Sequence, residues 1–386
     1  MALKTARRGN VPPFIVMDVL AKANERQAQG HAVYHLEVGQ PGTPAPAKVI
    51  EAARRALGSE RLGYTEALGI PALRRRIAQH YREWYGVALD PARVVVTTGS
   101  SGAFLLGFLA AFDPGDRVAL AAPGYPAYRN ILGALGIEAV PLPVGANTRF
   151  QPTADLLAAL PGKLDGLIVA SPSNPTGTML DRAGLQALTE GCAARGVRLV
   201  SDEIYHGIVY GDQAHSALEF TRDAIVVNSF SKYFSMTGWR LGWMVLPEDL
   251  ARPVECLAQN LFISPPSLSQ HAAVAAFDCA DELGANVRRY ADNRALLLEL
   301  LPKAGFARIA PSDGAFYLYA EVGHLTPDSH AFCRRMLEET GVAATPGTDF
   351  DPERGHRFVR FSFAGTTADM KAAAERLIAW QGGKPT

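Results

Sequence analysis

The chain has 386 residues, 48% of them hydrophobic, with 38 Lys+Arg set against 38 Asp+Glu. That length allows two domains with real cores. A formal charge of zero argues against nucleic acid or an anionic membrane as the main partner, because both need a basic excess.

The chain opens Met-Ala-Leu-Lys-Thr-Ala-Arg-Arg and runs into Gly9-Asn10-Val11-Pro12-Pro13, with no apolar h-region and no apolar run of membrane length. The expectation is a soluble, cytoplasmic protein. A first helix is expected over Phe14–Gln29, punctuated by Pro12-Pro13 and Gly30. From about residue 92 to 246, brief Val/Leu/Ala-rich runs bounded by Gly, Pro, Asp or Asn read as seven strands. They are Arg93–Thr98, Arg117–Ala121, Ala139–Leu142, Gly166–Ala170, Val197–Ser201, Ala224–Asn228 and Leu241–Leu246. Helices fit Ser101–Ala111, Tyr125–Leu135, Arg182–Arg195 and Gln270–Asp278. Near-continuous apolar strands covered by helices point to a doubly wound, mostly parallel α/β sheet. Beyond about residue 280 the pattern changes. A long charged helix (Ala285–Leu301) precedes strands Phe306–Ala310 and Ala315–Glu321, a helix Ser329–Thr340, a strand pair Val342–Ala344 and Phe358–Phe363, and a closing helix Thr367–Trp380. The expected division is a large α/β domain over 46–280 and a smaller α+β domain, βαβ-like, made of 1–45 and 281–386. Four scattered cysteines (Cys192, Cys256, Cys279, Cys333) without a Cys-x-x-Cys pair read as reduced structural thiols, and no metal site is expected.

In open α/β sheets ligands sit at the carboxyl ends of the strands, and the chemically distinctive residues fall there one strand after another. After the first strand, Thr98-Gly99-Ser100-Ser101-Gly102 opens a helix, where small residues let backbone N–H groups approach an anion. After the fourth, Ser171-Pro172-Ser173-Asn174-Pro175 exposes an amide able to donate to a phenolate-type oxygen. After the fifth comes Asp202-Glu203-Ile204-Tyr205. Asp202 suits the ion-pairing of a protonated ring nitrogen and Tyr205 reaches the phenolic oxygen, while Glu203 reads as a structural neighbour and His206 as a turn or packing residue. After the sixth comes Ser229-Phe-Ser-Lys232, with Arg240 eight positions beyond the lysine. An amine that forms a Schiff base with a phosphorylated aldehyde needs hydroxyl and cationic donors beside it. These positions together point to a phosphorylated aldehyde cofactor.

The chain resembles the class I/II aminotransferases of pyridoxal-phosphate fold type I, in the branch with bacterial aspartate and aromatic enzymes, over nearly its whole length. The resemblance implies that Lys232 is the Schiff-base lysine and proton shuttle, Asp202 the pyridinium partner, and Asn174 and Tyr205 the partners of the cofactor's O3′. It makes Ser100, Ser101, Gly102, Ser229 and Arg240 the phosphate cup, and Tyr125 of Pro123-Gly124-Tyr125-Pro126 the ring stacked on the pyridine. Arg360, in Arg357-Phe-Val-Arg360-Phe, matches the arginine that grips the substrate α-carboxylate, a task for a bidentate fork. Arg357 is the competing choice. Gly39 lies in the loop near that carboxylate, and Tyr64 resembles the tyrosine that reaches the neighbouring subunit's cofactor, which implies a homodimer with active sites at its interface. The expected activity is ping-pong transfer of an amino group from an L-amino acid to a 2-oxo acid through a Lys232 aldimine, with a C–S β-lyase or related lyase on the same scaffold as the alternative. Some aspartate-specific members carry a Lys in the turn that here reads Ser100-Ser101-Gly102, which counts against a dicarboxylate substrate. Phe14, Ile15 and Tyr317 are apolar neighbours that suit a neutral or aromatic side chain.

Overall fold

The computed structural model describes residues 3–382. The outermost residues of the expected small domain, 1–2 and 383–386, lie outside the described residues. All seven large-sheet strands form, in the spatial order Val94–Thr97, Gly242–Val245, Ile225–Ser229, Arg198–Asp202, Gly166–Ala170, Arg117–Ala122, Glu138–Pro143. Five pair in parallel, and Gly242–Val245 runs antiparallel between Val94–Thr97 and Ile225–Ser229. The reason is local: the chain between Ser229 and Gly242 holds only a short 3₁₀ turn, Thr237–Trp239. A parallel return is usually carried by a helix that crosses over the sheet, and this segment has no α-helix.

Alternate residues of each strand enter opposite cores. Val94, Val96, Ala119, Leu167, Val169, Leu199, Val226 and Trp243 pack in one, while Val95, Val118, Leu120, Ile168, Val200, Ile225 and Met244 pack in the other. Both faces are therefore dry, as a sheet covered by helices on either side requires. Helix Pro71–Tyr85 starts on a proline and stops at left-handed Gly86. Helix Arg182–Arg195 is capped by the Asp181 carboxylate on the Gly184 amide and stops at Gly196.

The second sheet differs from the βαβ-like expectation. It is antiparallel, ordered Thr345–Pro346, Phe358–Ser362, Tyr317–Glu321, Arg308–Ile309. Nor do Val342–Ala343 and Phe358–Ser362 pair with each other. Val342–Ala343 takes the N-terminal strand Tyr34–His35 as its parallel partner instead. Left-handed Gly341 ends the preceding helix, and the break at Ala344 separates the two short strands, Val342–Ala343 and Thr345–Pro346, so each joins a different neighbour. Leu36, Phe306, Phe316, Leu318, Met336, Phe361 and Met370 form one core with Ile204, Tyr205 and Ile208, which follow the large-sheet strand Arg198–Asp202. That shared packing sets the second sheet against the carboxyl edge of the first.

Candidate active site

The carboxyl ends of the strands lie level. Ala170 is in register with Asp202, Asp202 with Val227, and Ser229 with Gly242, which in turn faces Thr97. Because Gly242–Val245 is antiparallel, its beginning rather than its end lies on this edge, and Arg240 arrives with it. Helix Gly99–Ala111 opens beside it, and its N-cap Thr98 supplies no side-chain cap. Gly99 has φ +68°, and a Cβ there would come 2.5 Å from Arg240 Nη2. A Cβ at Gly242 would come 2.9 Å from the Ser100 nitrogen. Two glycines thus let an uncapped helix start, a strand end and a guanidinium converge, an arrangement suited to an anion. Ser229 Oγ donates to Ser231 Oγ at 2.9 Å and accepts the Ser231 amide at 3.0 Å. Ser100 is half-buried, Ser101 exposed and Gly102 buried in the first helical turn.

Lys232 follows this edge, and its ammonium donates to the Gly39 carbonyl at 2.6 Å. Burial first, then the charges of Arg360 and Arg240, bring its pKa down to about 8, against the opposing pull of Asp202. Asp202 is buried. It accepts the Tyr128 hydroxyl in a short hydrogen bond and the Ile204 amide at 3.2 Å. Burial outweighs those donors and raises its carboxyl to about 6. A carboxylate held in an apolar setting with only neutral donors has room for a cationic partner.

Arg360 stands in register with Tyr319 on one side and Thr345 on the other. Nη1 donates to Asn174 Oδ1 at 2.8 Å, and Nη2 to the Glu37 carbonyl and to Thr345 Oγ1 at 3.3 Å. The guanidinium lies over the rings of Tyr317 at 4.4 Å and Phe350 at 4.8 Å, and Nε is buried without a partner. With its oxygen spent on Arg360, Asn174 presents its amide N–H groups. Tyr205 and Tyr317 share a hydroxyl hydrogen bond of 2.7 Å, and a Cβ at Gly39 would overlap the Tyr317 hydroxyl. Tyr125 lies edge-on to Phe14 at 5.7 Å and to Tyr128 at 5.3 Å, and burial lifts its phenol to about 12.

The structure thus gathers Lys232, Asp202, Asn174, Tyr205, Tyr125, Ser229, Arg240, Gly39, Arg360 and the Gly99 helix start along one edge. Tyr64 is not among them; it stands 83% exposed. Arg357 is no competitor to Arg360, for it pairs with Glu321 at the surface, 2.5 Å away. Glu203 accepts from Ser201, Ser216 and the Ala217 amide. His206 bridges Ser171 O and the Tyr85 hydroxyl; since the carbonyl can only accept, Nε2 carries the proton. Both are structural. Three participants had escaped the motifs. Tyr128 was legible as the residue three past Tyr125 on one helix face. Tyr317, expected as an apolar neighbour, meets the site through its hydroxyl, which bonds Tyr205. The Glu37 carbonyl is backbone and carries no side-chain signal.

Fold and site define a transferase of amino groups, built around a half-buried lysine, a buried aspartate and a buried arginine. The sequence pattern of aminotransferase class I and II matches residues 32–377, and the chain belongs to that family, whose members are pyridoxal-phosphate-dependent enzymes of fold type I. It is 53% identical over 384 residues to a valine–pyruvate aminotransferase of Mycobacterium tuberculosis, covering 98% of this chain and 99% of that one. A crystal structure of an aminotransferase from the same organism superposes with a TM-score of 0.97 at 52% identity, over 99% of this chain and 100% of the other. Aspartate aminotransferase of Thermus thermophilus, solved with maleate, gives 0.93 at 31% identity, over 98% and 100%. The chain moves an amino group between an amino acid and an oxo acid. No described helix is long and apolar enough to cross a membrane.

Proposed function

We propose that this aminotransferase exchanges a neutral, aliphatic amino acid such as valine with a small oxo acid such as pyruvate, using pyridoxal phosphate and Lys232. The observation that carries the site reading is the Lys232 amine, whose hydrogen bond among the described residues goes to one carbonyl and whose pKa burial and two guanidiniums lower to about 8. An amine so poised exists in part as the free base near neutral pH, as both a nucleophile and a proton carrier must. The residues fit the cofactor: among the described residues Asp202 forms no ion pair closer than the field of Lys232, a Cβ at Gly99 would meet the Arg240 guanidinium, and Arg360 Nε has no partner. Ser100, Ser101, Gly102, Ser229 and Arg240 would hold the phosphate, Tyr125 the ring face, Asn174 and Tyr205 the ring oxygen, and Asp202 the ring nitrogen. Pyridoxal phosphate, when bound, supplies the carbonyl that takes the amino group and the electron sink that acidifies the substrate's α-carbon.

Arg360 then holds the substrate carboxylate between Asn174 and two aromatic rings, which orients the α-C–H toward Lys232. Lys232 is the group placed to take that proton on Nζ and to give it back on the same face. Neutral selectivity is supported by the similarity to the valine–pyruvate enzyme, by the absence of lysine from the Ser100-Ser101-Gly102 turn, and by Phe14 set against Tyr125. Further proposals are a division into 46–280 and 1–45 with 281–386, a cytoplasmic location, and a homodimer in which the exposed Tyr64 reaches the partner's site. Purified holoenzyme given L-valine with pyruvate, and separately L-aspartate with 2-oxoglutarate, tests the reading. Valine–pyruvate exchange should be favoured about tenfold or more in kcat/KM. An aspartate preference would overturn the substrate class, and ammonia release without an oxo acid would overturn transamination.

A further inference from the structure

The segment from Glu37 to Pro41 enters the site with little of its own to hold it. Tyr34–His35 is paired with Val342–Ala343, and Leu36 is fixed on both sides by the Ala343 carbonyl and the Ser362 amide. The ladder resumes only at Gly42, whose amide reaches the Ala364 carbonyl. Among the described residues, 37 to 41 make no backbone–backbone hydrogen bond. Within this gap the Glu37 carbonyl accepts from both Arg360 Nη2 and Thr345 Oγ1, the latter at 2.9 Å.

The side chain of the same residue is itself anchored. Glu37 is 0% exposed, and its Oε1 accepts from His35 Nδ1 at 2.7 Å while Oε2 has no partner. His35 is anchored in turn at Nε2 by Gln27 Oε1, 3.2 Å away on the N-terminal helix Ile15–Ala28. Asp369, on the closing helix Thr367–Gly382, adds a second negative charge near the imidazole. Glu37 and Asp369 both favour a charged imidazole, and the hydrogen bond that His35 donates to Glu37 is the largest cause of its raised pKa. Burying a carboxylate with half its acceptors unfilled is costly, and a fold keeps such a group where it fixes geometry.

We propose that His35 and Glu37 are positioning residues for substrate recognition: their pair locks the Glu37 backbone so that its carbonyl holds the Arg360 guanidinium in the orientation that receives the substrate carboxylate. This rests on Arg360 being the carboxylate-binding group. Since both the amino and the oxo acid present that carboxylate, loosening Arg360 raises KM for both, and the poorer orientation of the α-C–H lowers kcat by a smaller factor.

The test uses the holoenzyme. His35→Leu should raise KM for L-valine and for pyruvate by about tenfold, the scale of a small misplacement at a binding group, with kcat changed less than about threefold. Glu37→Gln alone, which keeps the shape and removes the charge, should raise both KM values less. Pairing it with His35→Gln restores a neutral hydrogen bond and should return KM toward the starting value. KM unchanged in His35→Leu, or a fall in kcat at constant KM, overturns the proposal, and so does a lower melting temperature with unaltered kinetics. Arg360→Lys separates the two levels. If it fails to raise KM, the carboxylate assignment is wrong; if it raises KM while His35→Leu does not, only the positioning role is lost.

Discussion

The two edges of the large sheet carry similar residues and do different things with them. At the amino edge a cleft of about 900 Å³ is lined by Arg93, Arg198, Arg222, Asp165, Asp223, Glu248 and Asp249. There each buried or half-buried cation is answered. Arg93 donates to the Leu246 and Arg222 carbonyls, Arg198 to the Asp223 carbonyl and to Asp249. At the carboxyl edge Asp202 and Lys232 are left with neutral partners, their pKa values pushed toward each other to about 6 and about 8. A roomy cleft with satisfied charges is architecture. Charges held out of balance mark a site prepared for a ligand that will complete them.

Mutations at the two edges should separate that difference cleanly. Lys232→Ala should lower kcat by at least about a thousandfold, since both the nucleophile and the proton carrier are lost. Arg198→Ala, at the other edge, should leave kcat within about twofold, a half-exposed pair being worth only ~1 kcal/mol of stability. Steady-state exchange rates decide it: residual turnover within tenfold in Lys232→Ala would erase the distinction. Asp202→Asn comes next, with a fall of about a hundredfold or more in kcat, because a neutral amide cannot hold a cationic ring nitrogen.

Tyr128→Phe is a finer probe of the same edge. Its hydroxyl is the first of the influences that lower the Asp202 pKa against burial. Removing it should raise that pKa further, so the acid limb of kcat/KM moves to higher pH, with about a three- to tenfold loss near neutrality. An unmoved acid limb would mean that Tyr128 only fills space. Residue Tyr128 also shows how much was readable beforehand. Strand-end residues such as Asp202 and Lys232 are signalled by type and position along the chain, so the sequence alone assigns them to this edge. The seven strands were legible for the same reason, their apolar runs being short and sharply bounded. Contacts made by backbone, like the Glu37 carbonyl on Arg360, leave no mark in residue type. Nor did the strand pairing of Val342–Ala343, because two residues carry too little periodicity to select a partner. Tyr64 stands apart, 83% exposed; only the homodimer proposed above would give it a partner.

Glu203 tests whether the edge's imbalance is functional at every position or, here, merely tolerated. It sits next to Asp202, and burial raises its carboxyl to about 8 despite three donors on Oε1. The unfolded chain releases this proton near 4.5, whereas the folded chain keeps it until about pH 8. Between those values the unfolded state binds fewer protons, so this group drains stability as pH rises and the loss is complete above pH 8. Glu203→Gln keeps the acceptor for Ser201, Ser216 and Ala217 and has no proton to lose. Its melting temperature should fall less than the parent's between pH 5 and 8, leaving it about a degree or two ahead at pH 8, with kcat little changed. If kcat dropped as in Asp202→Asn, Glu203 would belong to the chemistry. If the two pH–Tm curves ran parallel, its carboxyl would ionise in the folded state as it does in the unfolded one, and the imbalance at this edge would be confined to the residues that meet the ligand.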